Sequence, residues 1–274
     1  MTPKRLYPHS SLMTDYGIES AAMTPDHSQP ASTELNSDFP WDEFDSDWYY
    51  NHNYKLLHEE DLQILRIVRD FFATLDPSNQ RNGIDVGSGT NLYPALAMLP
   101  LCQDITLYEH SASNVAWLRR EIQSYSPSWD AFWKPLHTAP LYKSIDSPRE
   151  TLAALAHVDK GNIFDLPESR WDIGTMFFAA ESLSDAPAEF RAALRRFIAS
   201  LRTGAPFAAA FMEDSLGYNT GTHRFPAVAI SVNDVKNCLA AEVRNFDIHR
   251  IDLTEKPLRD GYGGMIVATG RANR

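Results

Sequence analysis

One stretch decides the fold: Asn82-Gly83-Ile84-Asp85-Val86-Gly87-Ser88-Gly89-Thr90-Asn91-Leu92-Tyr93, followed by Ile105-Thr106-Leu107-Tyr108-Glu109. It predicts a buried strand, a glycine turn, a helix, and a second buried strand that ends in a carboxylate. Glycines allow the backbone to approach a ligand closely, and a carboxylate at that place can accept both hydroxyls of a ribose. The pattern therefore favours an α/β fold with a nucleoside-binding loop, and a tight turn without a ligand is the alternative.

The residues after the glycines indicate which nucleoside is bound. A dinucleotide fingerprint requires a third glycine where the helix meets a pyrophosphate, but Leu92 and Tyr93 occupy this position. No Gly-Lys-Ser/Thr sequence follows, so the loop is not a P-loop. Asp85 would repel a phosphate and favour a cationic ligand, and a buried structural hydrogen bond is the alternative for this residue. S-adenosylmethionine, which has a sulfonium, an amino group and a ribose but no phosphate, matches these residues better.

Composition excludes several classes of protein. The 274 residues are 43% hydrophobic and 22% charged, as in an ordinary globular protein. A net charge of −11 and a pI near 5.2 argue against a nucleic-acid or anionic-membrane partner. No apolar run could span a bilayer and no secretory signal is visible, so we expect a cytoplasmic protein in which Cys102 and Cys238 are reduced thiols. The histidines and cysteines form no metal-binding pattern, so no metal is expected.

Three segments differ in character along the chain. Residues 1–38 are polar without apolar periodicity, which predicts a disordered leader. Residues 39–60 carry an aromatic and acidic cluster, which predicts a lid that docks on the body. Residues 61–274 are expected to form the main domain, with an interruption at about 125–157 that contains a capping box at 147–150. Aromatic side chains in this interruption are expected to fill hydrophobic space: Trp129, Phe132, Trp133 and Tyr142.

Apolar periodicity predicts an alternation of strands and helices in the main domain. Strands are expected at 83–86, 104–109, 172–178, 206–212, 244–252 and 263–270. Helices are expected at 59–75, 91–100, 112–124, 186–202 and 232–241. Such an alternation predicts a mostly parallel sheet with helices on both faces.

The loop Ile84–Tyr93 resembles the cofactor loop of the nicotinamide, phenylethanolamine and thioether (indolethylamine) methyltransferases. The resemblance covers roughly residues 44–271 and includes Asn114 five residues after Glu109, the segment Glu181–Leu194 and the loop Glu213–Tyr218. It implies a Rossmann-like, seven-stranded class I methyltransferase sheet whose last strand is antiparallel. It also implies S-adenosylmethionine as the cofactor.

The resemblance further implies which residues hold that cofactor. Tyr49 and Tyr54 would close over its methionine end, and Glu109 would hold its ribose. The implied set is Tyr49, Tyr54, Asp85, Gly87, Ser88, Gly89, Tyr93, Glu109, Asn114, Asn162 and Ile163. Asn162 and Ile163 replace the usual Asp-Val pair beside the adenine amino group, where the Asn carbonyl could accept the same bond.

The resemblance places acidic residues against the methyl acceptor. Glu181 matches an acid that faces a substrate amine, Glu213 or Asp214 matches a second catalytic acid, and Tyr218 is a further substrate-binding residue. A carboxylate there can hold an ammonium group and accept its proton. We therefore predict a small-molecule methyltransferase, with an amine nitrogen as the favoured acceptor. An oxygen or sulfur acceptor, an inactive cofactor-binding scaffold and, less favoured because of Leu92, an NAD-dependent oxidoreductase are the alternatives.

Overall fold

The computed structural model describes residues 34–254 and 261–272. Its helices are α1 (Ser46–Asn53), α2 (Glu59–Phe72), α3 (Tyr93–Met98), α4 (Ala112–Glu121), α5 (Trp129–Leu136), α6 (Pro148–Leu155), α7 (Pro187–Ser200) and α8 (Val232–Glu242). Its strands are β1 (Arg81–Val86), β2 (Cys102–Glu109), β3 (Ala156–Lys160), β4 (Ile173–Phe177), β5 (Pro206–Glu213), β6 (Tyr218–Thr220), β7 (His223–Phe225), β8 (Phe246–Asp252) and β9 (Gly264–Arg271).

The central sheet has seven strands in the order β3-β2-β1-β4-β5-β9-β8. Strands β1 to β5 pair in parallel, whereas β9 runs antiparallel to both β5 and β8. This arrangement confirms the expected class I methyltransferase sheet with an antiparallel last strand. The strand order reverses beside β1, and in open α/β sheets such a reversal creates a crevice at the carboxyl ends of the strands.

Two hydrophobic cores lie on opposite faces of the sheet. In β5, Ala208 and Met212 belong to the core that includes α2 and α3, whereas Phe207 and Phe211 belong to the core that includes α7 and α8. Successive side chains of a strand point to opposite faces, so one strand supplies both cores. The helices therefore cover both faces, as the alternation of apolar segments predicts.

The structure departs from the sequence-based expectation in three elements. Strand β3 lies within and just beyond the predicted interruption and is an edge strand in which only Val158 is buried. The short antiparallel hairpin of β6 and β7 was not predicted either, because its three-residue strands are too short to show an apolar alternation in the sequence. The prediction of a capping box at 147–150 is wrong, because the Ser147 side chain makes no capping hydrogen bond. The hydroxyl of Thr151 instead donates to the Ser147 carbonyl within the first turns of α6.

The aromatic segment docks on the body through its own secondary structure. It contains a 3-10 turn at Trp41–Glu43 and the helix α1. Asp45 is the N-cap of α1, because its side chain accepts a hydrogen bond from the Trp48 N–H. Residues 1–33 of the predicted leader lie outside the described residues. Within the rest of that predicted leader, a 3-10 turn spans Asn36–Asp38 and Asn36 is buried, so the folded body begins before residue 39.

The interruption forms α5 and α6 and fills the space beside α2 and α3. The aromatic side chains expected to pack there are all buried: Trp129, Phe132, Trp133 and Tyr142. Their packing agrees with a structural role for these four rings. Within residues 34–254 and 261–272, no helix combines the length and the apolar character needed to cross a membrane.

Candidate cofactor and acceptor site

A cavity that is open to solvent lies at the carboxyl ends of four neighbouring strands, and its empty space, with the open mouth included, is about 790 Å³. Its wall is built from the loop after β1, from Glu109 at the end of β2 and His110 after it, from Gly161–Ile163 after β3, and from residues at and after the end of β4. The cavity therefore occupies the crevice beside β1 where the strand order reverses, which is where open α/β sheets bind ligands.

The glycine loop gives the cavity its floor. Gly87 and Gly89 both have positive φ angles, 67° and 55°. A Cβ atom at Gly87 would lie 2.5 Å from the Cβ of Ala179, so no side chain fits between the loop and the end of β4. A Cβ at Gly89 would meet nothing closer than 3.9 Å, because its face borders open space. Gly87 thus allows tight packing, whereas Gly89 leaves room for a ligand against the backbone.

The carboxylate of Glu109 is fixed at the edge of that loop. One oxygen accepts the Gly89 N–H at 2.8 Å, and the other accepts the Ser111 N–H at 2.8 Å. Two charge-assisted bonds hold the group in one orientation, with the residue buried but in contact with the cavity. The predicted ribose acid is therefore in place beside the loop.

Two amide side chains border the cavity near Glu109. Asn114 at the start of α4 accepts a bond from the Ser46 hydroxyl at 2.7 Å, which ties α4 to the lid. Asn162 accepts the Phe164 N–H at 3.0 Å and thereby caps the turn that begins at Ile163. The Asn162 carbonyl that was predicted to bind adenine therefore already has a partner within the chain, although Asn162 lines the cavity.

An aromatic wall closes the cavity on the side of the lid. Trp41 stacks on Phe225 with ring centroids 4.8 Å apart, and Tyr49 meets Tyr218 at 5.8 Å. Tyr54 also lines the cavity. Because Tyr218 and Phe225 belong to the hairpin of β6 and β7, the lid and the hairpin form one apolar cluster.

Two residues predicted to bind the cofactor are buried beside the glycine loop. Asp85 is 1% exposed; one carboxylate oxygen accepts the Thr175 hydroxyl at 2.7 Å, and the other has no hydrogen-bond partner among the described residues, so its role toward the cofactor stays a prediction. Burial raises the pKa of Asp85 to about 7, against the opposing bond from Thr175. Tyr93 is also fully buried and donates its hydroxyl to Asp61 at 3.1 Å. Burial likewise raises the pKa of Asp61 to about 7. Neither Asp85 nor Tyr93 is among the residues that line the cavity.

The predicted catalytic acids do not line the cavity in this structure. Glu181 is fully buried, and its carboxylate accepts the Met212 N–H at 2.9 Å. Glu213 forms an ion pair with Arg250 at 2.6 Å, and Asp214 is exposed. Of the predicted acceptor-side residues, Tyr218 alone borders the cavity. The roles of the three acids toward a substrate stay predictions.

Several residues that line the cavity were missed by sequence reasoning, among them Asn36, Phe178 and Ser182. Phe178 follows β4 with a φ of 58°, which a bulky residue rarely adopts, and its N–H donates to Ala210 at 2.7 Å. Strain of this kind is concentrated at functional sites. No sequence signal distinguishes these residues, because Asn36 precedes the aromatic lid and the other two follow β4 outside any periodic pattern.

The geometry fits a nucleoside that carries no phosphate. The open face of Gly89 and the fixed carboxylate of Glu109 border the same space. Among the described residues that line the cavity, none is a lysine or arginine that could pair with a phosphate. Within the part of the chain that the structure describes, no cluster of side chains could hold a metal ion.

Comparison with known proteins identifies the family. A model of the NNMT/PNMT/TEMT family matches residues 33–263. The chain belongs to this family. The match covers the glycine loop, the lid and the acceptor-side loops, so the resemblance to the nicotinamide, phenylethanolamine and thioether methyltransferases is confirmed. Family membership assigns S-adenosylmethionine as the cofactor. No curated protein matches the sequence.

Two solved structures are similar to this chain at low sequence identity. An S-adenosylmethionine-dependent methyltransferase of Clostridium acetobutylicum is 8% identical with a TM-score of 0.51, and the match covers 82% of this chain and 97% of that one. The N1-methyltransferase of Burkholderia thailandensis that acts on 1,6-didemethyltoxoflavin, solved with S-adenosylhomocysteine, is 16% identical with a TM-score of 0.47. That match covers 84% of this chain and 85% of the other.

Proposed function

We propose that this member of the family transfers a methyl group from S-adenosylmethionine to a nitrogen atom of a small molecule. One observation carries the proposal: the open backbone at Gly89, the carboxylate of Glu109 and the aromatic lid all border one cavity. A site for a nucleoside and a site for an apolar acceptor are thereby continuous. The acidic net charge of −11 fits a small-molecule acceptor better than a nucleic acid.

Each wall of the cavity has a distinct task. The cofactor, when bound, supplies an electrophilic methyl group on its sulfonium sulfur. We assign the ribose hydroxyls to Glu109 and the adenine to the side formed by Asn114 and Ile163, since these residues line the end of the cavity beside β2 and β3. Tyr49 and Tyr54 close the methionine end, and Tyr218 packs against the acceptor.

Positioning is the main catalytic device that this site offers. A well-oriented nucleophile can gain about 7–11 kcal/mol relative to free encounter. The leaving group is a neutral thioether and requires no proton from the enzyme, so the protein has to align the acceptor and keep water out. The cluster of Trp41, Tyr49 and Tyr218 provides that exclusion.

The acceptor nitrogen should be uncharged when it binds. Among the described residues that line the cavity, Glu109 carries the only carboxylate, and both of its oxygens are held by backbone N–H groups. A protonated amine would therefore meet no counter-charge at the acceptor end in this conformation. Glu181 and Glu213 remain proposed acids for an amine acceptor, to be tested by substitution.

A labelled-cofactor assay tests the function. The full chain is incubated with methyl-labelled S-adenosylmethionine and a small-molecule extract, and the products are separated by mass. We expect label in a small molecule, with an N-methyl group in its fragmentation pattern, and much less label with Glu109→Ala at a cofactor concentration near the dissociation constant of the wild type. Binding of S-adenosylhomocysteine without transfer to any small molecule would instead support an inactive scaffold.

A further inference from the structure

A second cavity lies at the end of the central sheet opposite the cofactor site. It is formed where β1, β2, β4 and β5 begin and where the antiparallel β9 ends, and its empty space, with the open mouth included, is about 920 Å³. The six residues of β1, which rise about 3.3 Å each, separate it from the glycine loop. Among the described residues, the two cavities share no lining residue, so the second cavity is a separate candidate site.

The charges that line this cavity are mostly positive. Arg81, Arg202 and Arg271 border it, and among the described lining residues Asp172 carries the one carboxylate. Asp172 is already engaged, because it pairs with Arg202 at 2.7 Å and accepts the Asn82 N–H at 3.0 Å. Arg81 and Arg271 form no ion pair with a described residue. The cavity therefore carries two uncompensated positive charges on a chain whose net charge is −11.

Arg81 is a buried arginine with donors left over. It is the first residue of β1 and is 7% exposed, and its Nη1 donates to the carbonyls of Asp76 at 3.1 Å and Asn79 at 2.6 Å. The carboxylate of Asp76 bonds to Ser78 instead. Within the described part of the chain, the Arg81 Nε and Nη2 groups make no hydrogen bond. Because a buried charge without a counter-charge is costly, a fixed guanidinium that borders a cavity favours an anion there.

Backbone contacts hold the other lining groups near Arg81. Arg271 donates to the Gly204 carbonyl at 3.2 Å, and the Gly204 N–H donates to the carbonyl that follows Arg271 in the chain. The loop before β5 is therefore tied to the end of β9. The Asn82 side-chain oxygen accepts the Gln103 amide at 3.2 Å, which leaves the Asn82 NH2 group as a donor to a ligand.

We propose that this cavity binds the phosphate group of a small metabolite, at a site separate from the methyl-transfer site. Guanidinium groups donate paired hydrogen bonds that match phosphate oxygens, and an amide NH2 adds a further donor. A phosphate dianion matches the charges of Arg81 and Arg271, whereas a monocarboxylate would neutralise one of them. The negative net charge of the chain disfavours a large polyanion such as a nucleic acid.

The first experiment is a calorimetric titration of the full chain at about pH 7.5, where phosphate is mostly a dianion. The probes are inorganic phosphate, ribose 5-phosphate, citrate and acetate at matched ionic strength, each with and without S-adenosylhomocysteine. We expect a dissociation constant below about 1 mM for phosphate and for the monoester, and binding of acetate at least about 10-fold weaker. S-adenosylhomocysteine should change the phosphate affinity less than about 2-fold, because the cavities share no lining residue.

Substitutions of opposite sign then assign the binding to this cavity. Arg271→Ala, at the exposed end of β9, and Arg81→Gln should each weaken phosphate binding about 10-fold. Asp172→Asn should tighten it about 3-fold, because the amide oxygen can still accept the Asn82 N–H while the paired arginine is released. Arg66→Ala on α2 is the matched control, since it removes an exposed arginine outside the cavity and should change the affinity less than about 2-fold.

Urea unfolding of each variant separates binding from folding. Arg271→Ala keeps the test valid if Arg81→Gln lowers stability, because Arg271 is exposed. Absence of saturable phosphate binding up to about 10 mM, equal affinity in the wild type and Arg271→Ala, or weaker binding in Asp172→Asn would overturn the proposal. Tighter binding of citrate than of phosphate would overturn the choice of a phosphate group. Failure of the wild type to bind S-adenosylhomocysteine would reject the proposed methyl transfer and leave the phosphate result intact.

Discussion

The two sides of the cavity differ in how their polar side chains are used. On the side of β1 and β2, Gly89 and Glu109 lie where the loop sequence predicts, and both border the cavity. On the side of β4 and β5, the predicted acids Glu181 and Glu213 bond to Met212 and Arg250, and the neutral Ser182 borders the cavity instead. A sequence motif thus predicts the part of the site that depends on backbone conformation. It does not predict the part that depends on how side chains are oriented.

The largest expected effect is at Gly87. Gly87→Ala would place its Cβ 2.5 Å from Ala179 at a φ of 67°. We expect a loss of about 2–5 kcal/mol in the free energy of unfolding, from backbone strain and overpacking together, and loss of S-adenosylhomocysteine binding. Gly204→Ala is the matched control, because its φ is 81° but nothing lies within 4 Å of the added Cβ. Urea unfolding that shows equal losses would contradict the packing role of Gly87.

Next in size is the pH dependence that Asp85 imposes. Burial raises the pKa of Asp85 from 3.8 to about 7, so the folded protein keeps a proton that the unfolded chain releases. Stability therefore falls as the pH rises between about 4 and 7, by about 4 kcal/mol for a shift of this size. Asp85→Asn should remove the contribution of Asp85 to this slope, leave that of the buried Asp61, and be more stable than the wild type above pH 7. Urea unfolding measured across the window checks this, and parallel curves for both proteins would show that Asp85 ionises normally.

A smaller free-energy change is expected for removal of the Glu109 carboxylate, which we assign to the ribose. Glu109→Ala removes the charged group that accepts the N–H groups of Gly89 and Ser111. We expect the dissociation constant for S-adenosylhomocysteine to rise about 10- to 100-fold, the cost of losing a hydrogen bond to a charged group. Glu181→Gln is the control on the other side of the cavity, since its amide carbonyl can still accept the Met212 N–H. An equal rise of the dissociation constant in both variants would contradict the assignment of cofactor binding to the side of β1 and β2.

The smallest effect is expected for Glu213→Gln. The ion pair with Arg250 is 2.6 Å long, but the arginine side chain is 42% exposed, so the pair contributes about 0.2–1 kcal/mol. Thermal unfolding should show a small loss that shrinks in high salt. A large loss of methyl transfer with unchanged stability would place Glu213 against the substrate and restore its predicted role.

Most of the fold was predictable because buried parallel strands carry continuous apolar runs. For the same reason the sequence does not predict the direction of the Asp85 side chain. A strand that is buried on both faces has no apolar alternation that distinguishes one face from the other. Strand β3 escaped notice because an edge strand with only Val158 buried shows no alternation. The direction of Glu181 could not be predicted, because it lies in a 3-10 turn where no periodicity fixes the side chain. Asn36 required a tertiary contact with α7 that no local signal encodes.

The decisive experiment is a calorimetric titration of the full chain with S-adenosylhomocysteine. We expect saturable binding of one molecule per chain, in the cavity beside Gly89 and Glu109. Absence of binding at millimolar ligand would contradict it, because the fixed carboxylate and the open glycine loop would then serve no nucleoside.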